Sequence, residues 1–365
     1  MKENKPSIVL LVGGPSTEHK ISLLSGSSIF KAIDKNKYRV FVVGIDHETR
    51  WWLYTDENFV NFPGDAHNIA LNTSGRQVRL TSSNDNVWLE DVINNNQTMV
   101  HLVFPVLHGH YGEDGILQGI LSSVKVPYSG ANLMASSIGM DKDIAKRLWR
   151  DAGIPIANFI CIHRHQMDEL TFEEAKNQLG IPMFIKPVNA GSSVGVNKVK
   201  TKAAFLESVQ HAFLYDTKIL IEEAVIGKEL ECAVLGNEQP KASVIGEIIP
   251  KTTFYSYEAK YLDDKGATMA IPANIDKATS DNLRQLAVKA FKVIGAEGLS
   301  RVDFFLTSNG KMVINEINTL PGFTSISMYP KLWEATGLPY TELIDQIIQL
   351  GFDRYERDKK LLKSI

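Results

Sequence analysis

Between Ser300 and Asn318 the chain reads SRVDFFLTSNGKMVINEIN, two apolar runs on either side of Asn309-Gly310. Asn-Gly between apolar runs is the strongest short-range signal for a tight β-hairpin, because both turn positions favour a positive φ. We therefore predict two antiparallel strands joined by a two-residue turn.

The predicted turn sets two acidic side chains face to face. Counting outward from Asn309-Gly310 places Asp303 opposite Glu316 and Arg301 opposite Asn318, whereas a longer loop would shift this register. Like charges directly opposite each other destabilise a sheet, so a cation is expected between them. Carboxylate and amide oxygens suit Mg²⁺, which commonly also holds substrate phosphates. The alternative is a pair of solvated acids beside Arg301.

The composition is that of an ordinary globular protein. The 365 residues are 44% hydrophobic and 22% charged, enough for about two or three domains. A net charge of -3 gives no basic footprint for nucleic acid. Cys161 and Cys232 suit free thiols in a reducing cytosol better than the alternative single disulfide. No apolar stretch approaches the roughly 20 residues of a membrane span, so we expect a cytoplasmic protein without membrane contact.

The first part of the chain alternates strand and helix patterns, which predicts an α/β domain with a mostly parallel sheet. Strands are expected at Ile8–Val12, Val40–Ile45 and Met99–Val106, and a helix at Ser22–Ile33. The polar stretch Asn58–Asn86 is expected to be an irregular insertion.

The middle of the chain begins with a well-marked helix and predicts a small α+β unit. Asp141 is the expected N-cap and Gly153 the stop. The predicted apolar face of this helix contains Ile144, Ala145, Leu148, Trp149 and Ala152. The following elements are expected to be strands at Phe159–Ile162, Met183–Pro187 and Val194–Val199 and a helix at Thr201–Leu214.

The last part predicts further strands at Leu230–Leu235 and Ser243–Ile249 before the acidic hairpin. Between them and the hairpin lies a helix that we expect Ser280 to cap and Gly295 to end.

A glycine–serine loop follows the predicted strand that ends at Lys186-Pro187. Gly191, Ser192, Ser193 and Gly195 let backbone N–H groups approach phosphate oxygens, and the lysine adds compensating charge. The spacing is not that of a P-loop. The loop therefore indicates a phosphate-covering segment, with an ordinary hairpin turn as the alternative.

Three further segments stand at predicted strand ends. Gly13–His19 precedes a helix but lacks the dinucleotide-binding glycine pattern, which disfavours a Rossmann cofactor. His108 and His110 allow a transition-metal site as a minor alternative, although no third ligand has a recognisable spacing. The small-residue loop Asn318–Ser327 can offer backbone N–H groups to an oxyanion.

These motifs, in their order along the chain, resemble those of the ATP-grasp superfamily and, within it, the D-alanine–D-alanine ligase family. The resemblance rests on Gly13-Gly14-x-Ser16-x-Glu18-His19, His108-Gly109-x-x-Gly112-Glu113-Asp114-Gly115, Met140-Asp141-Lys142, Lys186-Pro187, Gly191-Ser192-Ser193-Val194-Gly195, Phe254-Tyr255-x-Tyr257-x-Ala259-Lys260-Tyr261, Arg301-x-Asp303 and Glu316-x-Asn318-Thr319-x-Pro321-Gly322. It implies an α/β (α+β) protein of three domains in the ATP-grasp architecture. The expected domains are an N-terminal α/β domain at 1–130, a central domain at 131–221 and a C-terminal domain at 222–365, with ATP between the last two.

The resemblance also implies site residues for ATP and metal. Lys142 and Lys186 would contact phosphates, and Glu222 and Glu229 would lie near adenine and ribose. The full expected ATP set is Lys142, Lys186, Ser193, Glu222, Glu223, Val225 and Glu229. Two Mg²⁺ ions, with Mn²⁺ as a substitute, would be held by Asp303, Glu316 and Asn318.

For the amino-acid substrates, the resemblance implies that Glu18 binds the amino group of the first D-alanine and that His108 lies near its carboxylate. Ser327, followed by Met328, would bind the second D-alanine. The remaining expected residues are Ser192 on the phosphate-covering loop, Arg301 and the Gly322 N–H at the oxyanion, and Lys260 and Tyr261 on a lid.

The implied activity is ATP-dependent ligation of two D-alanines through a D-alanyl phosphate, for peptidoglycan precursors, by a homodimer. Tyr261 favours dipeptide over ester formation, and Met328 stands where relatives that use D-serine tend to carry arginine. The alternatives are a D-alanine–D-lactate or D-serine ligase, another ATP-grasp carboxylate–amine ligase, or a regulator that binds the nucleotide without turnover.

Overall fold

The strands form four sheets in the computed structural model, which describes residues 5–62, 67–250 and 267–361. The N-terminal part contains strands β1 (Ser7–Gly13), β2 (Arg39–Ile45), β3 (Trp51–Tyr54), β4 (Val60–Asn61), β5 (Ala70–Leu71), β6 (Arg76–Ser83), β7 (Asn86–Asp91), β8 (Gln97–Val100) and β9 (Leu102–Pro105), with helices α1 (His19–Ala32), α2 (Ile116–Ser123) and α3 (Leu133–Met140). Seven of these strands form one sheet in the order β8-β7-β6-β3-β2-β1-β9, and β4 pairs with β5.

Parallel pairing in this sheet is confined to β1 and its two neighbours. Strand β1 is buried along its whole length and pairs in parallel with β2 and β9, while the remaining pairs are antiparallel. The predicted α/β class is confirmed. The strand predicted at Met99–Val106 is instead divided at His101 into β8, which pairs with β7, and β9. Because one residue joins these two edge strands, the sheet curls until its edges meet.

The prediction of an irregular insertion at Asn58–Asn86 is wrong. This stretch contains β4, β5 and β6, and within β6 Val78 is the one buried residue. An antiparallel sheet can leave one face in water, so a strand there needs few apolar residues and its sequence resembles that of a loop.

The central part is a four-stranded antiparallel sheet, in the order β10-β13-β11-β12, with two helices on one face. Its elements are α4 (Lys142–Asp151), β10 (Phe159–His163), α5 (Phe172–Leu179), β11 (Met183–Pro187), β12 (Asn197–Val199), α6 (Lys202–Ala212) and β13 (Lys218–Glu223). The predicted N-cap is confirmed, because the Asp141 carboxylate accepts a hydrogen bond from the Ile144 N–H at 2.9 Å.

Two predictions for the central part need correction. Ile144, placed on the apolar face of α4, is 39% exposed, whereas Lys146 is completely buried. The strand predicted to start at Val194 starts at Asn197, because Ser192 and Ser193 adopt positive φ values of 50° and 60° in a turn.

The C-terminal part is a five-stranded antiparallel sheet in the order β16-β15-β14-β17-β18. Its elements are β14 (Gly227–Gly236), β15 (Lys241–Pro250), β16 (Ala267–Ala270), α7 (Lys277–Val293), β17 (Gly298–Thr307), β18 (Met312–Asn318), α8 (Met328–Ala335) and α9 (Tyr340–Lys359). Helix α7 is capped by Asp276, which accepts from the Thr279 N–H at 2.9 Å, and not by Ser280 as predicted. The helix therefore starts one turn earlier.

The acidic hairpin has the predicted pairs for a partly different reason. The turn is one residue longer than predicted, so Leu306 pairs with Met312. A β-bulge then leaves Asn315 unpaired and shifts the register back, and Asp303 faces Glu316 after all. A bulge bends a strand and redirects the side chains beside it, and bulges are frequent next to active sites.

The last helix returns to the first sheet. Leu343, Ile344 and Ile347 of α9 share one buried core with Ile8 and Leu10 of β1. The guanidinium of Arg354, itself buried, donates to the carbonyl oxygens of Tyr128 and Gly130. The N-terminal sheet therefore depends on the C-terminal helix for part of its core.

Candidate active site

Two adjoining cavities lie where the three parts of the chain meet. The acidic cavity, of about 140 Å³, is lined by carboxylates that include Glu18, Glu113 and Asp303. The lysine cavity, of about 220 Å³, is lined by Lys186 and the glycine–serine loop. Lys142, Gly191, Ser192, Glu229 and Glu316 line both cavities. The structure thus brings most of the predicted site residues together.

Glu18 is held by the glycine–serine loop from far along the chain. The Ser192 hydroxyl donates to Glu18 Oε1 at 2.5 Å, and the Glu18 side chain is buried. A Cβ on Gly109 would lie 2.4 Å from Glu18 Oε2, and one on Gly191 would lie 3.0 Å from the same oxygen. These two glycines are therefore needed to let the carboxylate enter the cavity.

His108 is buried, and both of its ring nitrogens are engaged. Nδ1 lies 2.8 Å from the Leu320 carbonyl oxygen, and Nε2 lies 3.2 Å from the Ser25 hydroxyl. A carbonyl oxygen can only accept, so Nδ1 carries the proton and Nε2 of the neutral ring accepts from Ser25. Burial lowers the pKa of His108, although Glu18 opposes this effect, which favours the neutral ring.

Ser25 continues this network to the loop that follows the acidic hairpin. Its hydroxyl oxygen accepts from the Phe323 N–H at 3.1 Å while its proton points at His108. Helix α1 is thereby linked both to His108 and to the segment that carries Gly322.

Glu113 joins the same two loops by another route. Its carboxylate accepts from the Gly109 N–H at 2.8 Å and from the Leu320 N–H at 2.9 Å. Burial and the charge of Glu18 raise the pKa of Glu113 to about 7, and the two backbone donors only partly offset this. Glu113 is therefore a partly buried acid whose charge changes near neutral pH.

Arg301, Asp303 and Asn318 form a connected cluster on the acidic hairpin. The Arg301 guanidinium donates to both Asp303 oxygens at 2.7 Å and lies 3.0 Å from Glu231 Oε2. The Asn318 amide donates to Asp303 Oδ2 at 3.1 Å. The bidentate geometry fixes the direction of the guanidinium at the floor of the acidic cavity.

Two lysines share one carboxylate beneath the lysine cavity. Lys186 Nζ and Lys146 Nζ each lie 2.5 Å from a different oxygen of Glu222. Burial would raise the pKa of Glu222, but the two ammonium groups outweigh it and lower the pKa to about 2. Lys142 donates to the Ala190 carbonyl at 2.7 Å and lies 3.8 Å from Glu316. Lys142 and Lys186 therefore both line this cavity, each beside a carboxylate.

Two protein-family models match the chain, one described as the D-ala D-ala ligase N-terminus over residues 7–131 and one as the D-ala D-ala ligase C-terminus over residues 148–349. The chain belongs to the D-alanine–D-alanine ligase family. The family's ATP-grasp fold and ligase activity, predicted from the sequence, are confirmed by the same comparisons.

Relatives of this family match the chain over nearly its full length. A D-alanine–D-alanine ligase of Shouchella clausii is 46% identical over 99% of this chain and 98% of its own, and one of Proteus mirabilis is 44% identical over 97% of each. The D-alanine–D-alanine ligase of Coxiella burnetii has a similar structure, with a TM-score of 0.86 and 37% identity over 98% of this chain and 96% of its own.

A solved relative of different printed specificity is also similar. The VanG D-Ala:D-Ser ligase of Enterococcus faecalis superposes with a TM-score of 0.83 at 35% identity, over 95% of this chain and all of its own. Overall likeness in this family therefore does not by itself identify the second substrate.

The hairpin side chains fit the chemistry of Mg²⁺. Asp303 and Glu316 face each other on adjacent strands, and Asn318 adds a third side chain with an oxygen ligand. Carboxylate and amide oxygens are hard ligands of the kind that Mg²⁺ prefers. A metal ion there must share Asp303 with the Arg301 guanidinium. The described residues contain no preformed cluster of three or more His, Cys, Asp or Glu side chains for a metal, and the alternative site at His108 and His110 is not formed.

The remaining residues predicted to bind ATP all line the lysine cavity: Ser193, Glu222, Glu223, Val225 and Glu229. Both oxygens of Glu223 accept hydrogen bonds from Asn158, at 2.9 and 3.0 Å, so its carboxylate is already committed. The Glu223 backbone N–H is also engaged, because it donates to the Asn158 carbonyl oxygen at 3.0 Å.

Gly322, Ser327 and Met328 line the opposite end of the acidic cavity. The Ser327 hydroxyl accepts from the Thr324 N–H at 2.9 Å, and a Cβ on Gly322 would lie 2.8 Å from that hydroxyl oxygen. The predicted lid residues Lys260 and Tyr261 lie outside the residues that the structure describes.

Three residues at this site were missed as functional candidates in the sequence: Ser25, Glu113 and Lys146. Glu113 belongs to the motif that begins at His108, and its position after Gly109 and Gly112 at a strand end is the available signal. Lys146 stands one helical turn after Lys142, a spacing that puts two side chains on one face. Ser25 carries no signal, since a serine within a helix pattern has no distinctive environment.

In the part of the chain described here, no helix is both long and apolar enough to cross a membrane.

Proposed function

We propose that this protein joins two D-alanine molecules into D-alanyl-D-alanine, with ATP as the phosphoryl donor. The observation that carries the proposal is the bond between Ser192 and Glu18. This bond joins the loop that lines the lysine cavity to a carboxylate of the acidic cavity. ATP in the lysine cavity and D-alanine in the acidic cavity would therefore meet where the two cavities adjoin.

In the first step, a carboxylate oxygen of the first D-alanine attacks the γ-phosphorus of ATP. The bond to the β,γ-bridging oxygen breaks, giving ADP and D-alanyl phosphate. Glu18 would pair with the substrate ammonium, and Lys142 and Lys186 would bind the phosphates. A phosphoryl transfer of this kind depends mainly on positioning and on charge stabilisation. Bound Mg²⁺ would supply further neutralisation of the phosphate charge at Asp303, Glu316 and Asn318.

In the second step, the deprotonated amine of the second D-alanine attacks the acyl carbon, and inorganic phosphate leaves with the electron pair of the broken C–O bond. Arg301 and the Gly322 N–H would stabilise the oxyanion, and Ser327 would bind the carboxylate of this second substrate. An acyl phosphate hydrolyses in water, so the cavity must exclude solvent at this stage. The roles of Lys260 and Tyr261 in that exclusion remain predictions.

The hydrogen bonds of His108 favour an indirect role at the first D-alanine, whereas the resemblance implies that His108 lies near the carboxylate of this substrate. With Nδ1 bound to Leu320 and Nε2 to Ser25, the ring has no nitrogen to offer unless a bond is exchanged. We propose that His108 acts on the first D-alanine by holding the loops around the acidic cavity.

The proposal also includes the metal ions, the oligomeric state, the location and the domain boundaries. Two Mg²⁺ ions, replaceable by Mn²⁺, would act with ATP; the chain would form a homodimer in the cytoplasm; and its domains would divide near residues 130 and 221. The three larger sheets support the domain boundaries, and the family membership supports the metal ions, the homodimer and the location.

Product analysis tests the proposal directly. The protein is incubated with ATP and Mg²⁺ and with D-alanine, L-alanine, D-alanine plus D-serine, or D-alanine plus D-lactate, and products are identified by mass. We expect phosphate release in every incubation that contains D-alanine and none with L-alanine. The main product of each incubation with D-alanine should have the mass of D-alanyl-D-alanine. A main product containing D-serine would favour the second candidate, which the likeness to the D-Ala:D-Ser ligase supports.

A further inference from the structure

Helix α4 carries two lysines, one turn apart, on the side of the lysine cavity. Lys142, its first residue, lines the cavity, whereas Lys146 is fully buried and does not line it. Side chains four residues apart lie one above the other on a helix, so Lys146 stands directly behind the cavity wall.

Glu222 connects this buried lysine with one that does line the cavity. On the sheet, Glu222 of β13 faces Phe184 and lies diagonally from Lys186 of β11, on the same face. One oxygen of Glu222 contacts Lys186 and the other contacts Lys146, each at 2.5 Å. A row of Lys186, Glu222 and Lys146 therefore runs from the cavity into the interior.

Stability alone gives a poor reason for Lys146. Buried ion pairs can often be replaced by apolar side chains of similar volume without loss of stability, because desolvation offsets the attraction. Lys146 lies in the interior, and Ala145 and Trp149 on the same helix are buried as well. The charge of Lys146 must matter for another reason.

The row contains two positive charges and one negative charge. With Lys146 in place, the carboxylate of Glu222 is shared and the row keeps one surplus positive charge at the cavity. Without Lys146, Glu222 would neutralise Lys186, which is the lysine that faces the cavity.

We infer that Lys146 is a positioning residue for ATP: it binds and neutralises Glu222, and Lys186 thereby keeps a net charge for the nucleotide phosphates. The inference rests on the proposed function, since it takes the lysine cavity to be the ATP site. Lys146 itself touches neither substrate.

A double-mutant cycle tests the inference, because it isolates the part of the effect that passes through Glu222. The variants are Lys146→Met, Glu222→Gln and the two combined, and the readouts are KM for ATP at saturating D-alanine, kcat at saturating ATP, and the melting temperature. Lys146→Met alone should raise KM for ATP about ten-fold and change kcat less than about three-fold. In the Glu222→Gln background, the same substitution should change KM for ATP by less than about three-fold.

Arg150→Met is the matched control. Arg150 is exposed on the same helix, one turn beyond Lys146, and its replacement removes the same charge. It should leave KM for ATP unchanged. Equal KM changes in the Lys146 and Arg150 variants would overturn the inference, as would an equal Lys146→Met effect in both Glu222 backgrounds.

Two further measurements keep the outcomes separate. Lys146→Gln replaces Lys146→Met if the latter does not fold, and it should give a similar rise because it also lacks the charge. Calorimetric titration of each variant with a non-hydrolysable β,γ-imido analogue of ATP measures nucleotide affinity without turnover. A wild-type protein that binds this analogue but makes no dipeptide would contradict the proposed function, while the affinities of the variants would still test the role of Lys146.

Discussion

The two cavities hold their charged groups in different ways. In the lysine cavity, Lys186 and Glu222 are neighbours in one sheet, so the register of β11 and β13 sets their contact. In the acidic cavity, bonds join residues 174 and 212 positions apart, as with Glu18 and Ser192 and with His108 and Leu320. The Lys186–Glu222 pair therefore forms with its own sheet, whereas the acidic cavity forms only when all three parts of the chain have packed together.

This difference predicts that substitutions in each cavity act on different kinetic constants. Changes in the lysine cavity should act on ATP binding. Changes in the acidic cavity should act on D-alanine binding or on the chemical step.

Asp303→Asn should give the largest loss, because Asp303 anchors Arg301 and supplies a negative oxygen ligand on the hairpin. We expect kcat to fall about a thousand-fold, which corresponds to several kcal/mol of lost charge stabilisation. Steady-state phosphate release measures it. Asp281→Asn, which removes the same charge from a surface pair with Lys277, should be nearly neutral. Comparable losses in both variants would refute a special role for Asp303.

Glu18→Gln tests whether the two cavities bind different substrates. The variant keeps the shape of the side chain and its bond with Ser192 but loses the charge that would pair with an ammonium group. We expect KM for D-alanine to rise about a hundred-fold and KM for ATP to change less than about three-fold. Equal rises in KM for D-alanine and KM for ATP would contradict the assignment of the two substrates to different cavities.

Glu113→Gln tests the pH dependence of the acidic cavity. The pKa of Glu113 is raised to about 7 in the folded protein, from an ordinary 4.5. Between these values the folded state holds a proton that the unfolded state releases, so this contribution to stability is lost as the pH rises through 7. The variant has no such proton. From pH 5 to pH 8, the wild type should therefore lose about 2.5 kcal/mol relative to Glu113→Gln in urea unfolding.

The exposed Glu207 provides the control for this experiment. Glu207→Gln should follow the wild type at every pH. If the curves of the wild type and Glu113→Gln run parallel, Glu113 is already ionised at acid pH and the cavity is wetter than its burial indicates.

Ser25→Ala should give the smallest effect of the four, because Ser25 reaches the reaction only through His108 and Phe323. Loss of such a supporting hydrogen bond should lower kcat about ten-fold with little change in KM for ATP. Ser27→Ala, two residues along α1, removes a hydroxyl that only bonds the Leu23 carbonyl and should be neutral. An inert Ser25→Ala variant would show that the His108 network does not bear on the chemistry.

The sequence predicted the hairpin well because its signals are local. Alternating apolar residues and Asn309-Gly310 determine strand pairing over a few residues. The longer turn and the bulge at Asn315 were both missed, and they cancel at Asp303. Neither has a distinctive sequence, since a bulge depends on how the strand bends against its neighbours.

The acidic cavity was harder to predict. In the lysine cavity, by contrast, strand-end patterns indicate Lys186 and Glu222, and their ion pair follows from the register of adjacent strands. Ser25, Glu113 and Lys146 acquire their roles from partners at least 70 residues away, at Phe323, Leu320 and Glu222. No local pattern can identify such partners, and the comparison with the family was needed to connect the motifs.

The return of α9 to the first sheet has a consequence for the order in which this protein is made. More than 300 residues separate β1 from α9, although both contribute to one core. At about 5–20 residues per second, a ribosome exposes the apolar face of β1 for roughly 15–60 s before the covering helix emerges. The nascent N-terminal sheet is thus an expected client for chaperones throughout translation.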